Sequence, residues 1–118
     1  MADHALFIGF GFPVRGREKQ AVQVFNEVMQ HWAKLQEEGA IESFEAFFLD
    51  PHGGDLGGFF LLRGELQSLD RVRASDEFER LIVRAQLIVE SVGVVHASTG
   101  AEIARGMGFF EEAVAELA

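Results

Sequence analysis

The sequence has 118 residues, 48% of them hydrophobic and 25% charged, which is the balance of one globular domain large enough for a real core. Its 19 acidic residues against 10 basic ones give a formal charge of −9, and this argues against nucleic acid as a partner, because that affinity rests on Lys and Arg neutralising phosphates. The chain contains no Cys, so disulfides, thiolate metal sites and Cys nucleophiles are all excluded.

The N-terminal stretch MADHALFIGF lacks a basic segment followed by a long apolar run, so no signal peptide is expected. No segment approaches the roughly 20 apolar residues of a membrane helix. The expectation is a cytoplasmic protein of one domain, residues 1–118, with no membrane partner.

Leu6 to Phe12 (LFIGFGF) alternates the bulky Leu6, Ile8, Phe10 and Phe12 with Phe7, Gly9 and Gly11, which predicts a strand with one large-residue and one small-residue face. The glycines fit either close approach of a helix to the sheet or room for a ligand. After Pro13 and VRGRE, a long helix runs to about Glu38. Its stripe is Ala21, Phe25, Val28, Trp32 and Leu35 at gaps of three and four, widened by Val22 and Met29. Gly39 is placed to end that helix in a left-handed conformation.

Ile41 to Gly64, IESFEAFFLDPHGGDLGGFFLLRG, reads as a Phe-rich β-hairpin joined by a loop of Asp, Pro, His and Gly. Each run is apolar in both alternation phases: Phe44, Ala46 and Phe48 against Ile41, Phe47 and Leu49, then Phe60 and Leu62 against Phe59 and Leu61. A sheet with one wet face shows apolar residues in one phase only, so this sheet is covered twice.

A short helical turn is expected within Gly64 to Val72. A helix follows, capped by Ser75 with Asp76 and Glu77 in its first turn, burying Phe78, Leu81, Ile82, Ala85 and Ile88 or Val89. Val92 to Ser98 predicts a last strand, apolar apart from His96. Thr99-Gly-Ala-Glu102 fits a capping box for a final helix whose stripe is Ile103, Met107, Phe110, Val114 and Leu117. Gly106 and Gly108 each cost that helix up to about 1 kcal/mol relative to Ala, so it is expected to depend on docking, on its own domain's flank or on a partner.

Two interleaved right-handed β-α-β units give a four-stranded antiparallel sheet of order 4-1-3-2 with both helices on one face, the α+β ferredoxin-like plan βαββαβ plus a C-terminal helix. The core spans about residues 5–99 and the added helix about 100–118. By this element order and pattern the chain resembles the dimeric α/β-barrel superfamily, which includes small antibiotic-biosynthesis-type monooxygenases and stress-responsive barrel proteins. The resemblance implies a homodimer paired sheet to sheet, with a cavity between each sheet and its helices. It carries over no active-site string.

That topology predicts which polar residues meet. Asp3 and His4 are expected near Arg63 and His96, while Arg15 and Arg17 approach the hairpin loop with Asp50, His52 and Asp55. His96 interrupts an apolar strand, so partial burial would tune it as a general base, or else it is a structural His bonded to a neighbour. Arg63 and His4 would steady an anionic oxygen, unless Arg63 pairs with Glu65 or Asp3. Arg15 and Arg17, at the first helix start, suit a carboxylate or phosphate.

No metal is assigned: Asp50, His52 and Asp55 are competent ligands, but their spacing on flexible glycines builds no site. Nor is a cofactor. Gly9-Phe-Gly11 lacks the third glycine of a dinucleotide fingerprint, with Val14 in its place. His31 and Trp32 do not form the Asn-Trp-His arrangement of haem-degrading relatives, and Trp32 belongs to the core stripe. Three readings remain: binding of a small, partly apolar molecule; a cofactor-independent monooxygenase or isomerase acting on an aromatic or enol substrate through His96; or a structural or interaction protein whose pocket is filled by its own Phe residues.

Overall fold

A computed structural model describes residues 2–118. Its elements, in chain order, are β1 (His4–Phe10), α1 (Glu18–Glu37), β2 (Ser43–Phe48), β3 (Gly58–Gly64), α2 (Leu66–Ala74), α3 (Asp76–Gln86), β4 (Gly93–Ser98) and α4 (Ala101–Leu117). The strands form one sheet of order β2-β3-β1-β4, every neighbouring pair antiparallel. This is the ferredoxin-like order expected from the sequence, and the short turn after Gly64 is a helix of nine residues.

Strand register assigns the faces. Leu6 pairs with Leu62 and Ile8 with Phe60, and these four are buried together with Ala21, Val24, Val28 and Trp32 of α1. Leu69 and Val72 of α2, and Phe78 of α3, complete this layer. The bulky series of β1 therefore faces the helices. Trp32 is fully buried, with its ring 5.9 Å from both Phe60 and Phe78. Val22, expected to widen the α1 stripe, is exposed, and Val24 takes the buried place.

The helix ends follow local chemistry. Ser75 Oγ accepts a hydrogen bond from Phe78 N at 3.2 Å, the expected cap of α3. Gly39, at φ 78°, ends α1 in the left-handed region where a Cβ is penalised. The start of α4 departs from expectation. Its cap is Gly100 at φ 55°, with no side-chain cap. Glu102 does not close a capping box; it takes Arg105 at 3.3 Å and approaches His4 at 4.0 Å. A Cβ on Gly100 would collide with the Asp3 carboxylate, and Thr99 N donates to the Asp3 carbonyl at 2.8 Å.

The opposite sheet face carries Ala5, Phe7 and Gly9 of β1, Phe47 of β2, Phe59 and Leu61 of β3, and Val95 and Ala97 of β4. Phe47 stacks on Phe59 at 4.6 Å between ring centroids, and Phe59 on Phe7 at 4.9 Å. This ladder is a run of cross-strand aromatic pairs. The close approach at Gly9 is made by Phe7 and Leu56, not by a helix: a Cβ there would lie 2.9 Å from the Phe7 ring.

No helix covers this second face. Helix α4 buries none of its residues, and Ile103, Met107, Phe110, Val114 and Leu117 are all at least half exposed. Docking on its own domain is thus ruled out. The chain is correspondingly extended, with a radius of gyration of 16.5 Å and a long axis of 53 Å. A compact chain of this length would have a radius of gyration of about 13.5 Å. No helix is long and apolar enough to cross a membrane among the described residues.

His31 sits where α1 meets α3, its Nδ1 3.9 Å from Glu77, which also pairs with Lys34 at 3.7 Å. Burial pushes its pKa below the ordinary value; Glu77 and Glu38 oppose the shift and Lys34 adds to it. The folded protein thus prefers neutral His31, while the unfolded chain takes up the proton near its ordinary pKa. Stability should be complete above about pH 6.5 and fall as pH drops through that value, levelling off below the folded pKa. Thermal melts from about pH 7.5 to about pH 5.5 should show a shallower decline for His31→Gln than for the parent; equal slopes would show that His31 titrates alike in the folded and unfolded chains.

Candidate functional site

The sheet and its helices do not close on one another at the Phe10 end of β1. Between them lies an apolar cavity of about 660 Å³. Its inner wall is Ile8, Phe10, Val28, Trp32 and Phe60, its helical wall includes Val24, Phe25, Leu81, Ile82 and Ala85, and its rim includes Phe12, Pro13, Phe48 and Leu49. Glu18 is the one charged residue among those lining it. Such a volume matches pockets that hold small organic ligands, about 300–1,000 Å³.

Aromatic rings build the inner end. Phe25 packs on Phe60 at 5.5 Å and on Phe48 at 5.2 Å, while Phe10 meets Phe25, Phe48 and Phe60 at 5.4 to 6.4 Å. Trp32 Nε1 is buried and has no hydrogen-bond partner among the described residues. An unmet buried donor costs about 1–3 kcal/mol.

The rim is tied by backbone. Gly11 N donates to the Glu90 carbonyl at 2.6 Å and Gly57 N to the Phe10 carbonyl at 2.8 Å, while Glu90 N donates to Phe12. These bonds bring the exit of β1, the hairpin loop and the α3–β4 connection together. A Cβ on Gly11 would come within 3 Å of the Glu90 and Asp55 carbonyl oxygens, so only glycine fits there.

The polar residues singled out from sequence lie elsewhere, and none of His4, His96, Arg63, Arg15 or Arg17 lines the cavity. His4 and His96 do meet, at the far end of the sheet: His4 Nδ1 and His96 Nε2 are 2.9 Å apart, one ring donating and the other accepting. His4 is the more buried, and its Nε2 faces Glu102 at 4.0 Å. His96 is exposed rather than partly buried within its strand.

Arg63 does not join this pair. It lies opposite Ala5 and Ser43, on the other face of the sheet, where its Nε binds Glu45 at 3.1 Å, not Glu65 or Asp3. A half-exposed pair of this kind is worth about 0–1 kcal/mol.

Arg15 and Arg17 are exposed on the segment between Pro13 and Glu18, and they form no ion pair with Asp50 or Asp55. The hairpin loop organises itself instead: His52 Nε2 meets the Leu56 carbonyl at 2.7 Å and Gly54 N donates to His52 Nδ1 at 3.1 Å. Among the described residues no cluster of three or more His, Asp or Glu is arranged to hold a metal ion. Pocket residues such as Ala85, Leu81 and Ala21 read in the sequence as core, and nothing in their spacing signals a gap.

No protein-family model matches the chain, and neither does any curated protein. Solved structures do. A dimeric protein of unknown function and ferredoxin-like fold from Bacteroides fragilis aligns at a TM-score of 0.58 and 12% identity, over 80% of this chain and 95% of its own. SnoaB, a cofactor-independent oxygenase from Streptomyces nogalater, aligns at 0.57 and 13%, over 84% and 95%. A hypothetical protein of Arabidopsis thaliana aligns at 0.64 and 10%, over 85% and 90%. At these identities the likeness is one of fold: the chain is a ferredoxin-like α+β protein whose structural neighbours include a dimeric protein of unknown function and a cofactor-independent oxygenase.

Proposed function

We propose that this protein is a cytoplasmic homodimer that binds a small, partly apolar molecule between the sheet and helices α1 and α3. The observation that carries the reading is the cavity of about 660 Å³, apolar throughout except at Glu18. The ligand would be largely hydrocarbon or aromatic. The cytoplasm suits a chain with no Cys.

The homodimer reading rests on the second sheet face, where Phe7, Phe47, Phe59 and Leu61 have no helix over them. A copy of the same face, turned by a two-fold axis, is self-complementary cover for it. The dimeric protein from Bacteroides fragilis has the same fold.

A second reading is favoured by the Glu102–His4–His96 chain of contacts, in which His4 orients His96 and leaves its other ring nitrogen outward. This suits a cofactor-independent monooxygenase or isomerase of an aromatic or enol substrate, with His96 as base. SnoaB, which shares the fold, is a cofactor-independent oxygenase. The separation of the histidines from the cavity favours binding over catalysis.

Trp32 is the only Trp of the chain and lines the cavity, so its fluorescence reports occupancy. Anilinonaphthalene sulfonate should bind saturably at one molecule per chain, and Ala85→Phe should weaken it by about tenfold, or ~1.4 kcal/mol, with an unchanged circular dichroism spectrum. Equal binding by the two proteins would place the probe elsewhere and sink the cavity reading. For assembly, light scattering at micromolar concentration should give a dimer for the parent and a monomer for Phe59→Asp, since the charge would be buried without a partner. A monomeric parent ends the dimer reading. Under the second reading, His96→Ala should abolish turnover of an enol or phenol while leaving the dimer intact; undiminished turnover removes His96 from the chemistry.

A further inference from the structure

Helix α4 has an apolar stripe with nothing of its own domain beneath it. Its origin is held: Asp3 packs against Gly100, Thr99 N bonds to Asp3, and Glu102 lies between His4 and Arg105. The helix therefore starts from a fixed point at the end of the sheet opposite its own cavity. At that other end Phe12, Val22 and Phe48 are 53%, 64% and 73% exposed around the cavity.

We propose that α4 of one copy of this chain lies across the cavity mouth of a second copy, so that each cavity is completed by its partner. The inference rests on the dimer and the cavity proposed above.

Area is the first argument. Four strands spaced about 4.8 Å apart and about 20 Å long present a face of roughly 400 Å². A stable interface takes about 800 Å² from each partner. The sheet faces alone fall short by about half. A helix of 17 residues is about 25 Å long and about 10 Å across, and when exchanged it counts twice for each copy, once as helix and once as the surface it covers. With that exchange the interface reaches the usual size.

Charge is the second argument. The C-terminal half of α4 carries Glu111, Glu112 and Glu116 and no base. The segment bordering the mouth carries Arg15 and Arg17, which have no ion-pair partner among the described residues. Glu111 is one position past Phe110 and so borders the apolar stripe, where it would face these cations at the edge of the contact. Geometry agrees: a two-fold axis across the strands sets the Ser98 end of one sheet, where α4 begins, over the Phe10 end of the other.

Because the chain has no Cys, introduced ones can be read without background. Two chains with distinguishable tags would be co-expressed, one carrying Val22→Cys and the other Phe110→Cys, then oxidised and resolved by denaturing electrophoresis. Phe48→Cys with Val114→Cys gives a second, independent pair; all four positions are exposed, so folding is spared. The expected result is a heterolink for at least one pair. The linked dimer should also release anilinonaphthalene sulfonate at least about tenfold more slowly than after reduction. Links only between two Phe110→Cys chains would mean that α4 pairs with α4, and would overturn the proposal, as would no heterolink from either pair. The link does not need a ligand. A heterolink without probe binding would leave the exchanged helix standing and remove the binding function, whereas probe binding in a dimer without a heterolink would remove only the helix.

Discussion

A β-strand shows its side chains alternately to two sides, and here both sides are apolar. That is the constraint on which the rest of this structure depends. On one side Leu6, Ile8, Phe60 and Leu62 set the depth to which α1, α2 and α3 can settle. On the other the Phe47–Phe59–Phe7 ladder and Leu61 form a surface that water covers at a cost of about 25 cal/mol for each Å² of apolar area. Burial of the first face folds the chain, and burial of the second is what the proposed homodimer would supply.

The cavity is a product of the same layering. Helices packed on a twisted sheet diverge towards one end unless large side chains fill the wedge. At the His4 end Leu69 and Val72 of α2 fill it. At the Phe10 end Ala21 and Ala85 stand on facing helices, and the aromatic rings of Phe10, Phe25 and Phe60 pack on each other without reaching across. The two ends have thereby taken different characters. One is an apolar chamber, and the other holds the polar contacts of Asp3, His4, His96 and Glu102 that fix where α4 starts.

Much of the fold was legible because it rests on period and length. The two-phase apolar runs, the 3–4 spacing from Ala21 to Leu35, Ser75 as a cap and Gly39 as a terminator all act locally, and the order of elements left one simple antiparallel sheet. The site was less legible because it rests on parity. Whether Arg63 and His96 share a face depends on register, in which Arg63 stands opposite Ala5 and His96 opposite Leu6, neighbours on β1 that point to opposite sides. Nothing in the spacing of either residue fixes that single step. The capping box at Thr99 failed for a related reason: a long-range contact between Asp3 and the Gly100 turn outweighed a local preference. The gap that becomes the cavity is invisible to pattern altogether, since a stripe of Ala and Leu reads alike whether or not it meets its neighbour.

The knot at Gly11 has a consequence for entry. Three separate stretches of backbone are bonded to one another there, with glycine the one residue that fits between the carbonyls of Glu90 and Asp55. Backbone held by such bonds opens only by local unfolding, a far slower event than rotation of a side chain. Under the binding reading proposed above, traffic into the chamber would be metered by the swing of rings such as Phe12 and Phe48 on a fixed frame. A doorway of that kind would sort guests by girth, admitting slender ones of many lengths and delaying broad ones whatever their chemistry.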